Sequence, residues 1–262
     1  MLGNIVPSVT VAAVFDLDNT LVRGSFLFHF GVQLMRDGLV SPRHLAPFVV
    51  TEFRYVHGRQ ERDTVPERIA RCTLRLARGR SQSHIAQLAD DFTRRRLNRF
   101  LLPHVADVAR RLQREGVTVL LATASPQELA ESVAARLGLS GAIGTVGEVR
   151  DGRYTGRLAS PIAHGSTKAL RVSKALHARG CDPLASWAFS DSVNDLPLLS
   201  SVGHPVAVRP DRHLRRIAEQ NNWPVIEEAS TDYCEAMSGK VVATSAASGR
   251  AWTAAAATQP PR

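Results

Sequence analysis

The sequence predicts an α/β fold, in which one long α-helical segment is inserted into a doubly wound parallel β-sheet. Three observations support this prediction. Residues 11–15 form a dense apolar run without polar alternation, as expected for a strand buried on both faces. Apolar residues then recur at three- and four-residue steps from residue 26 to residue 101, which indicates helices. From residue 105 to residue 226 helix and strand patterns alternate, the order that builds a parallel sheet with helices on both faces.

The first strand ends in Asp16 and Asp18, two carboxylates separated by Leu17. Ligands of open α/β sheets bind beyond the carboxyl ends of the strands, so this position is typical of a functional site. A tight turn after Asp16 would bring one carboxylate and one backbone carbonyl together around a cation. The alternative is an ordinary Asp-rich turn in which Asn19 and Thr20 act as local caps.

The helical segment follows the first strand, and no convincing strand pattern interrupts residues 26–101. Three groups of apolar residues define its helices: Phe26, Phe30 and Leu34; Ile69, Cys72 and Leu76; Ile85, Leu88 and Phe92. Because the segment leaves from the carboxyl end of the first strand, we expect it to cover a site there.

The remaining elements follow from short apolar runs and the Gly and Pro residues around them. We predict helices at 105–112, 127–137, 167–179, 194–201 and 212–221, and strands at 117–122, 186–189, 205–208 and 224–226. Residues 142–157 alternate around Asp151-Gly152 and are predicted to form a β-hairpin. Gly138 is expected to end the helix at 127–137, and Ser125 is expected to cap its start ahead of Pro126.

The composition is that of a packed globular protein, with 262 residues, 44% of them hydrophobic, and a net charge of +9. The densest basic cluster is Arg94-Arg95-Arg96 with Arg99. Its helical spacing and its lack of interleaved aromatic residues favour a solvated helix face over a nucleic-acid surface. No nucleic-acid partner is therefore expected.

The spacing of the cysteines and the hydropathy of the sequence indicate the cellular compartment of the protein. Cys72, Cys181 and Cys234 are far apart and lack metal-ligand spacing, which argues against a disulfide framework and fits a reducing compartment. No apolar stretch reaches the length of a membrane span, and no secretory signal pattern is present at the start of the sequence. We expect a cytoplasmic protein whose last residues, 238–262, rich in Ala, Ser, Thr and Pro, are disordered.

Polar residues also stand at the ends of the later strands. The strand at 117–122 runs into Thr123, where a hydroxyl and the N-terminus of the next helix could bind phosphate. Asp191 and Asp195 follow the strand at 186–189. These carboxylates and those of the first strand would repel one another unless a cation lay between them, and hard oxygen ligands are those that Mg²⁺ prefers.

Each of these later residues also has an ordinary interpretation. Lys168, close to the start of the helix at 167–179, could be a solvated lysine. Asn194 could be a helix cap and Asp195 a first-turn acid. All of them would then have to fall at one edge of the sheet by coincidence, so the functional interpretation is favoured.

The residues at the strand ends carry a resemblance to a known family. The DLDNT sequence at 16–20, Thr123, Lys168 and the DSVND sequence at 191–195 resemble the four ordered motifs of the haloacid dehalogenase superfamily. The helical segment between the first two motifs resembles that of the phosphoserine phosphatase-like branch, subfamily IB. The resemblance implies a Rossmann-like core formed by residues 9–24 and 102–228, and a helical cap formed by residues 25–101.

The resemblance also implies a chemical role for each residue. Asp16 would attack phosphorus and form an aspartyl phosphate, and Asp18, with a raised pKa, would act as general acid and then general base. Mg²⁺ would be held by the Asp16 carboxylate, the Asp18 backbone carbonyl and Asp191. The residues expected to bind the phosphate of a small phosphate ester are Thr123, Ala124, Lys168 and Asn194. Asp195 would orient the metal site and Lys168.

One position departs from the pattern of the phosphoserine branch. That branch binds the amino group of its substrate with a glutamate shortly after the first motif, where this sequence has Ser25. Phe26, Phe28 and Phe30 follow and suggest a more apolar entrance. Phosphoserine, a lipid phosphate or another small phosphomonoester therefore remain open as substrates. A phosphotransferase and a basic, non-catalytic regulatory or nucleic-acid-binding protein are the alternative functions.

Overall fold

The computed structural model describes residues 10–41 and 65–227. In chain order, its strands are β1 (Ala12–Phe15), β2 (Thr118–Pro126), β3 (Gly141–Thr145), β4 (Gly147–Arg150), β5 (Arg153–Leu158), β6 (Trp187–Ser190), β7 (His204–Val208) and β8 (Val225–Ile226). Six of them form one sheet in the order β3-β2-β1-β6-β7-β8, and every pairing within it is parallel. The predicted parallel sheet is confirmed.

Helices pack on this sheet and also fill the interval between β1 and β2. That interval contains α1 (Phe26–Arg36), α2 (Val65–Ala77) and α3 (Gln82–Phe100). The helices that follow are α4 (Pro103–Arg114), α5 (Gln127–Leu137), α6 (Gly165–His177), α7 (Leu196–Leu199) and α8 (Arg212–Gln220). The described part of residues 26–101 is therefore helical, as predicted, whereas the exact division of the chain into core and cap stays a prediction.

The central strand β1 explains why its sequence shows no polar alternation. Ala13 and Phe15 belong to an apolar cluster on one side of the sheet, and Ala12 and Val14 belong to a second cluster on the other. Phe15 also stacks on Phe189 of the neighbouring strand, with ring centroids 4.2 Å apart. Burial on both faces makes β1 a rigid support for the residues at its carboxyl end.

The helical segment joins the sheet through two connections that run side by side. The Arg23 N–H donates to the Phe100 carbonyl at 2.7 Å, and the Leu102 N–H donates to the Leu21 carbonyl at 2.8 Å. Just inside these connections, the Phe26 ring packs against Phe92 with centroids 4.9 Å apart. The segment therefore leaves and re-enters the sheet domain at one place.

A β-hairpin formed by β4 and β5 holds the loop between α2 and α3. The Gly79 N–H donates to the Tyr154 carbonyl at 2.8 Å, and the Tyr154 N–H donates to the Arg80 carbonyl at 3.0 Å. The Gln82 N–H donates to the Gly152 carbonyl at 2.9 Å. Backbone hydrogen bonds thus tie the helical segment to the hairpin at a second place.

The prediction of one hairpin over residues 142–157 was wrong in its first half. Residues 141–145 form β3, which pairs in parallel with β2, and the hairpin itself covers residues 147–158. β3 contains Gly141 and Gly144, and because glycine is typical of turns, its sequence does not resemble that of a strand. A Cβ atom at Gly144 would lie 2.8 Å from the Gln127 Cα, so close packing against α5 excludes a larger residue there.

The start of α5 also differs from the prediction. Ser125 does not cap this helix, because β2 continues to Pro126 and Pro126 itself occupies the N-cap position without a side-chain hydrogen bond. The end of α5 is as predicted, since Gly138 adopts the left-handed conformation with φ of +70°. The helix predicted at 194–201 is shorter, because it begins as a 3₁₀ turn over Val193–Asp195 and continues as α7.

Several expectations concern residues that the structure does not describe. The tail at 238–262, Cys234 and the middle of the helical segment, 42–64, lie outside the described residues. Among the described helices, none combines the length and apolarity needed to cross a membrane. Arg94, in the basic cluster of α3, is half exposed and pairs with Asp90 and Asp91 on its own helix, as expected for a solvated face.

Candidate active site

The carboxyl ends of adjacent strands bring the sequence-predicted acidic residues together. Asp16 follows β1, and Asp191 follows β6, the strand beside it. The Asp16 N–H continues the pairing of these strands by donating to the Phe189 carbonyl at 2.9 Å. The ordinary twist and pairing of a parallel sheet therefore place both carboxyl groups at one edge.

Lys168 lies between two buried carboxylates. Its Nζ is 2.7 Å from Asp16 Oδ1 and 2.8 Å from Asp195 Oδ1. All three residues are at most 6% exposed, so the interpretation of Lys168 as a solvated side chain is wrong. The Ser190 hydroxyl donates to Asp195 Oδ2 at 2.7 Å and fixes that carboxylate from the end of β6.

The site holds more negative than positive charge. Burial raises the pKa of Asp16 to about 7, against the attraction of Lys168 and with a further contribution from Asp195. Burial and the charges of Asp16 and Asp195 likewise raise the pKa of Asp191 well above its usual value. For Lys168, burial lowers the pKa, but its two carboxylate partners outweigh burial and raise it. A second cation is therefore favoured beside Lys168.

The turn after β1 positions Asp18 at the start of the helical segment. Asn19 takes a positive φ of 58°, and its side-chain oxygen accepts the Gly24 N–H at 3.0 Å. Asp18 Oδ1 accepts the Phe26 N–H, in the first turn of α1, at 2.8 Å. The tight turn predicted after Asp16 is present. Ser25 caps α1 by accepting the Phe28 N–H, so it is used locally as a helix cap.

Thr123 and its neighbours form the next part of the site. The β2–β3 register shifts between Ala122 and Pro126, so the backbone there departs from regular pairing. Thr123 is 1% exposed, and its Oγ1 accepts the Ser125 N–H at 3.1 Å, an arrangement that leaves the hydroxyl proton available to a ligand. The Ser125 hydroxyl is also buried and has no hydrogen-bond partner among the described residues.

The loop that carries Asp191 and Asn194 is held by hydrogen bonds to its backbone groups. Ser192 Oγ accepts the Asn194 N–H at 3.2 Å, and Asp211 Oδ2 accepts the Val193 N–H at 2.9 Å. The Asp211 N–H donates to the Asp191 carbonyl at 2.8 Å. The loop is therefore fixed from the start of α8, which is the structural role of Asp211.

All of the sequence-predicted site residues line one cavity of about 230 Å³: Asp16, Asp18, Thr123, Ala124, Lys168, Asp191, Asn194 and Asp195. The far wall comes from α1, α2 and α3 and is mainly apolar: Leu27, Phe30, Leu34, Leu74, Ile85 and Ala89. Of the three phenylalanines of α1 only Phe30 lines the cavity, whereas Phe26 is buried against Phe92. The predicted apolar entrance thus rests on other residues as well.

Among the polar residues of this cavity that were not predicted from the sequence are Glu128 and Tyr154. Glu128 stands in the first turn of α5, five positions after Thr123, where an acidic residue is common for reasons of helix stability. Tyr154 lies on the hairpin strand β5. Its place in the cavity can be recognised only in the folded chain, where Tyr154 lies opposite α5.

The donor set fits a hard cation such as Mg²⁺. Within the described ranges no three acidic, His or Cys side chains form a metal-binding group by themselves. The set expected from the resemblance needs only two such side chains, Asp16 and Asp191, because the Asp18 backbone carbonyl would be the third ligand and phosphate and water would supply the rest. The surplus of buried negative charge around Lys168 supports this fit.

Comparison with known sequences gives two kinds of match. Residues 13–200 match the family model of the haloacid dehalogenase-like hydrolases. A Mycobacterium tuberculosis protein named as a phosphoserine phosphatase is 36% identical over 221 residues, which cover 83% of this chain and 70% of that protein. A histidinol-phosphatase of Neisseria meningitidis is 30% identical over 231 residues, which cover 82% of this chain and 97% of that protein.

Solved structures share the fold. A crystal structure of a protein of unknown function from Bordetella pertussis has a TM-score of 0.73 at 31% identity, covering 84% of this chain and 99% of that chain. A phosphoserine phosphatase with an analogue of its phospho-aspartyl intermediate has a TM-score of 0.57 at 16% identity, covering 84% of this chain and 94% of that chain. At that identity the second likeness concerns the fold alone.

Proposed function

The chain belongs to the haloacid dehalogenase-like hydrolases and is a phosphatase of that family, and from this premise we propose that it hydrolyses small phosphomonoesters with Mg²⁺ as cofactor and Asp16 as nucleophile. The buried arrangement of Lys168 between Asp16 and Asp195 carries this proposal. Relatives named for phosphoserine and histidinol phosphate make these two esters the first substrates to test. We also propose a cytoplasmic location, because the three cysteines are far apart in the sequence and do not indicate a disulfide framework.

Asp16 is held for attack on phosphorus by its contact with Lys168. The ammonium group binds Asp16 Oδ1 at 2.7 Å and favours the ionised carboxylate, because a buried positive charge stabilises a negative one. We propose that Asp16 Oδ2 forms the new bond to phosphorus while the bond between phosphorus and the substrate oxygen breaks. The phosphoryl group then resides on Asp16.

Asp18 supplies and recovers the proton of this reaction. Its proton goes to the departing substrate oxygen, which leaves as an alcohol. In the second step Asp18 takes a proton from water, the water oxygen bonds to phosphorus, and the bond between phosphorus and Asp16 breaks. The hydrogen bond from the Phe26 N–H orients Asp18 for both transfers, since it fixes Oδ1 at the start of α1.

The phosphate oxygens would be bound by groups from three elements. Thr123 donates its hydroxyl proton, Lys168 donates from Nζ, and Ala124 donates its backbone N–H from the irregular end of β2. Asn194 approaches from the loop after β6. Asp195 positions Lys168 through its carboxylate. These groups would hold the phosphate in line with Asp16, which is the main requirement of phosphoryl transfer.

Asp16, the Asp18 carbonyl and Asp191 would hold Mg²⁺. When bound, the metal offsets the repulsion between the anionic carboxylate and the anionic phosphate. Thr20 supports this arrangement, because its hydroxyl lies 3.4 Å from Asp191 Oδ1 and links the turn after β1 to the loop after β6.

The decisive experiment is phosphate release from a panel of phosphomonoesters, with Mg²⁺ or with EDTA, by the wild type and by Asp16→Asn. We expect release that needs Mg²⁺ and disappears in the variant, since an amide is a poor nucleophile. Exposed Asp107→Asn, on α4, is the matched control and should retain full activity. Turnover that survives EDTA or the Asp16→Asn substitution would contradict the proposal.

A further inference from the structure

Glu128 is an acidic residue of the cavity that the proposed reaction does not use. It is 9% exposed and lines the same cavity as Asp16. Its Oε1 accepts hydrogen bonds from the Tyr154 hydroxyl and, at 3.2 Å, from the Gln82 side chain. Both donors are uncharged, so the carboxylate is oriented but its charge is not neutralised by them.

No Lys, Arg or His side chain pairs with Glu128 in the part of the chain that the structure describes. Two cationic side chains that line the cavity are engaged elsewhere: Lys168 binds Asp16 and Asp195, and Arg80 donates to the Leu39 carbonyl at 2.6 Å. The N-terminus of α5 offers a partial positive charge to this first-turn acid. A buried carboxylate is rarely left without a full cationic partner, so a ligand is the expected source of that charge.

Tyr154 is part of the cavity wall and orients the carboxylate of Glu128. Burial, together with the hydrogen bond to Glu128, raises the pKa of Tyr154, so the phenol keeps its proton and donates it to Glu128. Gly147 makes room for the ring, because a Cβ atom there would lie 2.9 Å from Tyr154 Cε1 and 2.7 Å from Leu74 Cδ2. The orientation of the carboxylate is thus fixed by packing as well as by hydrogen bonding.

Other acidic residues that line the cavity stand at the strand ends with the proposed catalytic groups: Asp16, Asp18, Asp191 and Asp195. Ser25, where the phosphoserine branch has its amine-binding glutamate, is engaged as the cap of α1 and carries no charge. Glu128 is therefore the carboxylate available to bind the part of the substrate that departs, and apolar side chains of α1 line the same cavity.

We infer that Glu128, oriented by Tyr154 and Gln82, binds a protonated amino group on the leaving alcohol, so that the substrates are phosphomonoesters of amino alcohols. This inference rests on the proposed function and narrows its substrate class. It assigns amine recognition to the first turn of α5 and not to the position of Ser25. Glu128 contacts the substrate but takes no part in bond making or breaking.

The test compares 2-aminoethyl phosphate with ethyl phosphate, two esters that differ only in the amino group. The wild type should prefer the amine, and Glu128→Gln should lower kcat/KM for 2-aminoethyl phosphate about 10- to 100-fold, as expected for loss of one charge-assisted hydrogen bond. Turnover of ethyl phosphate should be unchanged, which also shows that the variant is folded. Exposed Glu131→Gln on the same helix is the matched control and should change neither ester.

The alternative outcomes overturn the inference in distinct ways. If Glu128→Gln lowers kcat/KM equally for both esters, the carboxylate has a structural role. If it lowers kcat/KM for neither ester, no amine binds at Glu128. Tyr154→Phe should weaken the preference for the amine by a smaller factor, because the carboxylate remains but is less well fixed.

A binding measurement separates this inference from the proposed function. With Mg²⁺ present, 3-aminopropylphosphonate should bind the wild type more tightly than propylphosphonate, and Glu128→Gln should remove that difference; in both compounds a methylene group replaces the ester oxygen. Calorimetry needs no turnover, so it tests amine recognition even if no ester is hydrolysed. Hydrolysis of ethyl phosphate without any preference for the amine in either assay would refute the inference and leave the phosphatase proposal intact.

Discussion

Lys168 Nζ lies 2.7 Å from Asp16 Oδ1, although the two residues are 152 positions apart in the sequence. This buried contact joins the first turn of α6 to the end of β1. Because Asp195 binds the same ammonium group, one lysine links three separate segments of the chain. The same contact therefore bears on both the stability of the fold and the proposed chemistry.

Replacing the lysine should destabilise the protein. Lys168→Met leaves Asp16 and Asp195 buried without their cation, and we expect the free energy of unfolding to fall by about 3 kcal/mol or more. Urea denaturation measures this loss. Exposed Lys174→Met on the same helix is the control and should change stability by less than about 0.5 kcal/mol. Equal effects at the two positions would show that the buried contact is not stabilising.

Asp18→Asn should slow the hydrolysis of phosphate esters to an extent that depends on the leaving group. The variant cannot protonate the departing oxygen, so kcat for an alkyl phosphate should fall about 10²- to 10⁴-fold. The leaving group of p-nitrophenyl phosphate is a stable anion that needs no proton. The rate of the first step with this ester should therefore fall much less. Steady-state rates for the two ester types give the comparison, and an equal loss for both would argue against Asp18 as general acid.

Thr123→Val should weaken phosphate binding while preserving shape. The substitution removes the hydroxyl that we propose donates to the phosphate, and kcat/KM should fall about tenfold or more. Thr93, which is 1% exposed in α3 and whose hydroxyl has no partner among the described residues, gives the matched control. Thr93→Val should keep full activity. A Thr123→Val enzyme as active as this control would exclude the proposed role of Thr123.

Metal-free protein should lose stability as the pH rises from about 4 to about 7. The pKa of Asp16 is raised from 3.8 to about 7 in the folded protein, whereas the unfolded chain keeps the ordinary value. Between these values the folded state binds a proton that the unfolded state lacks, so raising the pH favours unfolding by at most about 1.4 kcal/mol per pH unit for this group. The raised pKa of Asp191 acts in the same direction.

Denaturant titrations across this pH range test the effect. Mg²⁺ should flatten the dependence, because it would compete with protons for the same carboxylates. Asp16→Asn should also reduce the slope, since the amide does not titrate. Stability that stays constant or rises with pH in the metal-free wild type would contradict the pKa shift.

The sequence predicted most of the sheet because parallel strands buried on both faces leave a plain signal. In the run that ends at Phe15, every residue contacts one apolar cluster or the other, so no polar position interrupts it. The same topology explains why the sequence could predict that the acidic residues lie together. Asp16 and Asp191 follow strands that prove to be neighbours, and parallel strands present their carboxyl ends at one edge.

Other features could not be predicted, since they depend on contacts between distant segments. β3 contains Gly144, which is required by the close approach of Gln127 but resembles a turn residue in sequence. Ser125 before Pro126 is typical of a helix start, yet β2 continues through it. Glu128 has the local pattern of any first-turn acid. Only the approach of Tyr154 and Gln82 distinguishes it.

The side-by-side connections at Arg23–Phe100 and Leu21–Leu102 bear on how long the inserted segment can be. Since its two ends are already joined by hydrogen bonds, lengthening the inserted chain adds little loop-closure entropy, about 0.6 kcal/mol for each doubling. We expect segments of different length to be tolerated at this point without disturbing Asp16 or Lys168, provided that they keep the hydrogen bonds between residues 79–82 and the β-hairpin. Chimeras built there would change the apolar wall of the cavity, whereas Glu128 and the residues proposed for phosphoryl transfer would stay on the unchanged sheet domain.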